Sequence, residues 1–264
     1  MKIFRIITFV TVLSLLFYGC PSDTQPTPPA TSYYDYLPLA VGNYWNYTNT
    51  VASTNATSAD SLYIDGTVMA NGNSYYNFGA NTTATGIYTL YMKNLDVRKD
   101  NHFYKANGSF VINLGTQPII IPINDEVMLT EGATAGDVLS TVNGTQTQTV
   151  DGFPLTITYS LKTEVSAVAA SSTIDGTSYD NTITTKTTLN MKIDTDISGF
   201  TISVMNQQDV LITYNTYAAQ KGMMLSESTL EYHLEDLSAY GGGSSIPQDH
   251  NESYRQVIVN YNIN

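Results

Sequence analysis

Asp194-Thr195-Asp196-Ile197-Ser198-Gly199 is the stretch whose residue types and spacing come nearest to metal chemistry. Oxygen-bearing side chains alternate, as in the first half of a calcium loop, and the glycine in sixth place permits the bend. The twelfth place should carry a Glu and holds Met205. The segment also lies between two strand-like runs, where a polar turn belongs. Asp194, Asp196 and Ser198 therefore read as turn residues first and as a weak calcium candidate second. The three histidines, His102, His233 and His250, show no metal-ligand spacing to one another. His102 stands at a strand start, His233 on a polar strand face and His250 in a loop, all as solvated polar residues. No Gly-x-Ser-x-Gly elbow and no phosphate-cradling glycine loop occurs. The sequence thus assigns no catalytic residue and no cofactor, and the chain reads as a protein that is not an enzyme.

The one cysteine, Cys20, has no internal disulfide partner and asks for another explanation. Lys2 and Arg5 precede an apolar run, Ile6 to Tyr18, broken only by Thr8, Thr11 and Ser14. Its length of about 13 suits a secretory signal and falls short of the roughly 20 residues of a spanning helix. Gly19 precedes the cysteine. This resembles a bacterial lipoprotein signal, with Phe17 and Tyr18 where the usual box has Leu and a small residue; looser boxes are familiar in Bacteroidetes. The resemblance implies that residues 1–19 are removed and that lipid on Cys20 attaches the chain to a membrane. It implies an outer-membrane lipoprotein, with the leaflet open. Residues 20–32, rich in Pro, Ser and Thr, read as a disordered tether.

Loss of residues 1–19 removes two cations and no acid, leaving 9 Lys+Arg against 23 Asp+Glu, a net charge of −14. Such a surface repels nucleic acid and anionic headgroups, and no basic patch offers a phosphate footprint.

These residues must be positioned by strands. Leu155, Ile157, Tyr159 and Leu161 alternate with polar residues, as do Leu189, Met191 and Ile193, then Leu230, Tyr232 and Leu234, then Val257, Val259, Tyr261 and Ile263. Period-two alternation puts one face inward and one into water. Asp65-Gly66, Asn71-Gly72, Asn107-Gly108, Asn143-Gly144, Asp151-Gly152 and Asp175-Gly176 read as tight turns. The three Asn-Gly pairs are 36 residues apart, a spacing read as coincidence before repeat. Loops are expected at 82–86, 131–136 and 240–252. Residues 33–264 are expected to form a single all-β domain: an antiparallel meander of a dozen or more strands, closed as a barrel, curled as a half-barrel or split as a sandwich. Trp45 and Tyr47 share a strand face and are expected to plug the end of its core. Twenty tyrosines invite a sugar-stacking platform, although core and sheet-surface roles are the ordinary use.

Tyr33 to Tyr47, YYDYLPLAVGNYWNY, resembles the Y-x-P-L-x-x-G-N-x-W-x-Y opening of uncharacterised Bacteroidetes lipoproteins. Gly176 to Asn181 and Tyr217 to Leu225 resemble later motifs of the same proteins, with Met224 in place of a second glycine. The family implies an exported all-β lipoprotein and brings no assigned activity. The expectation is a lipid-anchored envelope protein with a binding or structural role. The alternatives are a carrier of lipid or another apolar molecule in a β cup, and a glycan-binding accessory protein. A partner of lipid, glycan or protein type stays unnamed.

Overall fold

The computed structural model describes residues 32–113, 118–150, 153–236 and 247–264, and residues 32–264 form one compact unit. The signal segment, Cys20 and the tether as far as Thr31 lie outside the described residues, as does Asp151-Gly152. Twelve strands follow in order: β1 (Tyr44–Val51), β2 (Thr57–Ala70), β3 (Asn73–Ala80), β4 (Leu95–Asp100), β5 (Phe103–Asn113) and β6 (Pro118–Thr130), then β7 (Val138–Val150), β8 (Phe153–Ile174), β9 (Thr177–Ile197), β10 (Phe200–Ala218), β11 (Gly222–His233) and β12 (Asp249–Asn262). Among the described residues one helix, α1 (Ile87–Met92), joins β3 to β4.

All twelve strands belong to one antiparallel sheet, ordered β6-β5-β4-β3-β2-β1-β12-β11-β10-β9-β8-β7 and nearly closed into a barrel. A two-layer sandwich is thereby excluded. Each strand pairs with its sequence neighbour, except that β12 returns to pair with β1 while β6 and β7 form the two edges. The beginning and end of the sheet therefore meet in its middle, and the open seam runs between β6 and β7.

Alternation decides which face is which. Along β9, Ile183, Thr185, Thr187, Leu189, Met191, Ile193 and Thr195 are buried, while Lys186, Thr188, Asn190, Lys192 and Asp194 face outward. An exterior of Lys, Thr, Asn and Asp suits water; a membrane barrel carries an apolar band there. α1 packs inside the sheet with Tyr88, Thr89 and Met92 buried, and joins a core built mostly from inward side chains of the strands. Tyr88 meets Tyr47 and Tyr217 edge-on at centroid distances of 6.2 and 6.1 Å. Tyr91 meets Phe110 at 5.3 Å. Edge-to-face rings add attraction beyond their buried area. Trp45 and Tyr47 are each 1% exposed. The Trp45 indole N–H donates to the Lys221 carbonyl at 2.6 Å, and the Tyr47 hydroxyl to the Met223 carbonyl at 3.3 Å.

The turns divide. Asn71-Gly72 and Asp175-Gly176 have positive φ at both residues and close the β2–β3 and β8–β9 hairpins. Asp65-Gly66, Asn107-Gly108 and Asn143-Gly144 instead lie inside β2, β5 and β7, the first two at or beside register shifts. A dipeptide that tolerates positive φ serves a bulge as well as a turn. The 36-residue spacing therefore marks no repeated hairpin. Ser198-Gly199 closes β9–β10. Of the expected loop at 240–252, residues 240–246 lie outside the described residues, and its last part is strand instead: β12 begins at Asp249 and includes His250, whose ring stacks on Tyr232 at 5.3 Å. Near Asn181 (φ 50°) the β8–β9 hairpin carries a bulge at Val165/Ala167. Beyond it Ile174 joins a small second cluster with Ala218 and Met224, and Asp175 accepts two hydrogen bonds from Arg255 at 2.8 and 3.1 Å.

Candidate functional site

Three constellations stand out. The first fastens the segment that precedes β1. Register sets Lys99 of β4 opposite Tyr104 of β5, and Phe103 opposite Thr130 at the end of β6, which brings Glu131 alongside. The Glu131 side chain is 6% exposed and accepts from Lys99, and lies 3.1 Å from His102 Nδ1. The Tyr104 hydroxyl lies 2.6 Å from Asp35 and 3.0 Å from Glu131, and donates to one of them. Tyr33 stacks on His102 at 3.7 Å. Burial pushes the Glu131 carboxyl up, but hydrogen bonds from Lys99, His102 and Tyr104 outweigh it and leave the pKa below the usual value. Burial, then the bond to Asp35, pushes the Tyr104 hydroxyl up. Next to this cluster Arg98 grips Asp125 with two bonds of 2.8 and 2.7 Å, and the Tyr75 hydroxyl donates to Asp125 at 2.7 Å. Arg98 foremost draws the Asp125 carboxyl down to about 2, against the pull of partial burial. Ion-pair networks of this kind perturb pKa values without catalysis. The polar groups named here spend themselves on one another, and the two residues they hold from outside the sheet, Tyr33 and Asp35, are the start of the described chain.

The second is a groove of about 440 Å³ on the outer face of β7–β10. Register places Asn143, Ser160 and Asn190 in one row and Thr145, Thr158 and Lys192 in the next. The β10 register slips between Met205 and Gln208, so Gln207 stands out and donates to Asn190 at 2.9 Å. Asn190 in turn donates to Asp209 at 2.8 Å. Lys192, the one charged residue of the lining, is paired with Asp194 at 2.7 Å. Among the described residues, the side chains of Asn143 and Ser160 make no hydrogen bond and face the groove with amide and hydroxyl.

The third is a smaller cavity of about 80 Å³ beside the entry to α1. Ser226, Gln256, Asn49 and Ser58 form one transverse row across β11, β12, β1 and β2. The amide oxygens of Asn49 and Gln256 are buried with no partner. A buried acceptor without a donor costs about 1–3 kcal/mol, so this cavity is an expensive feature to keep.

The residues singled out in the sequence scatter. Asp194 and Asp196 belong to β9, where Asp194 pairs with Lys192 and Asp196 accepts from Thr201 at 2.8 Å; Ser198 lies in the hairpin turn and Met205 is buried in β10. No group of three His, Cys, Asp or Glu side chains with metal-binding placement occurs among the described residues. His233 pairs with Asp249 at 2.6 Å, far from His102 in the sheet order. Of the adjacent tyrosines Tyr75 and Tyr76, the first is buried and the second half-buried; of Tyr33 and Tyr34, the first is exposed and the second half-buried. Sequence reading missed the groove, whose one local signal is the run Asn206-Gln207-Gln208-Asp209 interrupting the apolar alternation of β10.

No family model matches this chain, and neither does any curated protein. Among solved structures, a protein described as a "putative lipoprotein" from Parabacteroides distasonis ATCC 8503 is similar at 12% identity and a TM-score of 0.36, covering 88% of this chain and 100% of its own. A likeness at that level assigns no function.

Proposed function

We propose that this chain is a lipid-anchored, non-enzymatic protein of the bacterial outer membrane whose β domain binds a neutral, hydroxyl-rich ligand of the glycan type. The anchoring half rests on the sequence: residues 1–19 are cleaved, Cys20 carries the lipid and residues 20–32 form the tether. The binding half rests on one observation, the groove lined by Asn143, Thr145, Thr158, Ser160, Asn190 and Gln207. Side-chain amides and hydroxyls both donate and accept, as sugar hydroxyls do. The volume lies within the range of small-ligand sites. A strongly acidic chain with its groove lysine already paired favours a neutral ligand over an anionic one. The apolar-carrier alternative loses support because α1 and inward strand side chains form a buried core where such cargo would sit.

Two measurements test the halves separately. Cys20→Ser should abolish palmitate labelling and release the protein from the membrane fraction; unchanged partitioning would refute the anchor. Isothermal titration of the full chain in detergent with maltohexaose, xylohexaose and laminarihexaose should show saturable binding to at least one. Asn143→Ala with Gln207→Ala should weaken that binding at least tenfold, and hexagalacturonate should bind no better. Silence toward all three neutral probes at 10 mM, or binding that ignores the double variant, would refute the groove.

A further inference from the structure

The two edges of the sheet are built differently. β6 carries Pro118 and Pro122, which have no N–H to offer a neighbour, and the charged pair Asp125-Glu126. Its register against β5 shifts twice, with Asp125 at a φ of 58°. Prolines, bulges and charges are the devices that keep an edge strand from pairing, and they account for the failure of β6 to close on β7. β7 has almost none of them. Val138 to Val150 contains no proline and no charged residue, in a chain with 23 acids. Its ladder with β8 is unbroken from Ser140 to Val150. None of its 13 residues is buried, whereas β9 buries every second residue from Ile183 to Thr195, so β6 does not cover it. Among the described residues, β7 pairs with β8 alone, and no hydrogen bond reaches the main chain on its other side. A long, regular, uncharged edge is a template for another strand.

Two features favour a second copy of this chain as that strand. First, a two-fold axis at Thr145 pairs β7 antiparallel with itself over the whole unbroken span, Ser140 opposite Val150. On the outer face Thr145 then meets Thr145, Asn143 meets Thr147 and Thr141 meets Thr149, and cross-strand threonine pairs of this kind support a sheet. An antiparallel ladder of that length makes about ten main-chain hydrogen bonds, the complement of an ordinary protein interface. Second, two copies of a chain with net charge −12 repel over most of their surface, and the paired span carries no charge. We propose that β7 is a homodimer interface, joined edge to edge with β7 of a second copy about a two-fold axis at Thr145. The sheet then runs on from one copy into the other with both outer faces on the same side. The inference does not depend on what the outer groove binds.

Sedimentation velocity of the full chain, in a detergent matched to the density of the buffer, should show a monomer–dimer equilibrium with a Kd on the order of 10 µM. Thr145→Lys and Thr145→Glu each set like charges face to face at the axis. Each should raise that Kd at least tenfold and leave the circular dichroism unchanged. Mixing the two variants in equal amounts should restore the dimer as a heterodimer. Amide hydrogen exchange of the unaltered protein, compared at about 1 and 100 µM, should slow in β7 and not in β6, a reading that stands should either variant fail to fold. A dimer indifferent to both variants, no recovery on mixing, or concentration-dependent protection elsewhere than β7 would overturn the proposal. A monomer at about 100 µM would overturn it too, and would leave the edge to a strand of a different protein.

Discussion

Tyr88→Ala probes the claim that α1 is packed into the interior. Tyr88 is 2% exposed, and its ring packs against those of Tyr47 and Tyr217 from the two sides of the β1–β12 junction. Removing a buried aromatic ring costs about 3–5 kcal/mol when the surroundings relax only in part. Here collapse is resisted, because both neighbours are fixed in strands; burial first, and then the neighbouring Tyr217, pushes the hydroxyls of Tyr47 and Tyr88 well above the usual tyrosine range. For a domain of this size, each kcal/mol shifts Tm by roughly 2–4 °C, so a fall of about 6–20 °C is expected. Tyr88→Phe keeps the ring and should cost about 1 kcal/mol. Thermal unfolding followed by circular dichroism, with urea unfolding as a check, separates the three proteins. The alanine variant should also take up an apolar probe such as benzene, as dry engineered cavities do. A Tm within 2 °C of the parent, or benzene uptake by the parent itself, would mean that the interior is not packed and would restore the carrier alternative.

Other consequences are quicker to check. Gly222→Ala combines a φ of +93° with a methyl 2.5 Å from the Trp45 indole nitrogen, so it should cost about 2–4 kcal/mol in urea unfolding and change tryptophan fluorescence; a neutral result would mean that Trp45 is not seated there. Acid should loosen the first constellation. The Glu131 and Asp125 pKa values are lowered in the folded state, so their stabilisation is complete above the unfolded carboxylate values near 4 and is lost as pH falls through the folded ones, about 2 for Asp125. Discounted for exposure, Asp125 contributes about 1 kcal/mol at most. Stability measured by urea unfolding should therefore drop between about pH 5 and 2, and Glu131→Gln with Asp125→Asn should flatten that slope; an unchanged slope would dismiss both groups.

Where local pattern determines structure, the sequence was readable. The alternating runs in β8, β9, β11 and β12 fall on strands as expected, but the β12 run does not face inward: Val259 and Tyr261 are exposed, and the polar Gln256 is the buried residue of that strand. Asn71-Gly72 and Asp175-Gly176 are hairpin turns. Asn107-Gly108 and Asn143-Gly144 share that chemistry yet sit in strands, because what decides between turn and bulge is the partner strand. Closure of β12 on β1 is also invisible locally: Trp45 meets Tyr261 across 216 positions, and neither run encodes the other. The sites suffered most. Lys99 and Tyr104 belong to successive strands and Glu131 follows the end of the next, while Asn143, Ser160, Asn190 and Gln207 belong to four, so each constellation exists only once register is set. Helix α1 was missed because Ile87-Tyr88-Thr89-Leu90-Tyr91-Met92 is too short to show a period of 3.6, and tyrosine and threonine there favour strands.

The position of β1 bears on the anchoring reading. An edge strand can be peeled from a sheet one ladder at a time, whereas β1 is paired along its length with both β2 and β12. The residues before it are held from both halves of the sheet. Asp35 takes the Tyr104 hydroxyl from β5, while its carbonyl accepts the Gln220 N–H from the β10–β11 turn at 2.5 Å. Asn43 donates to the Pro38 carbonyl at 2.9 Å and accepts from the Asn264 N–H at the same distance, tying the segment before β1 to the residue that follows β12 by two places. Pull on the segment before β1 would thus be shared by β5 and the β10–β11 turn and not fall on one strand. The unpaired seam lies at β6 and β7, the strands farthest from β1 in the sheet order. A seam between β1 and β12 would have put β1 at an open edge.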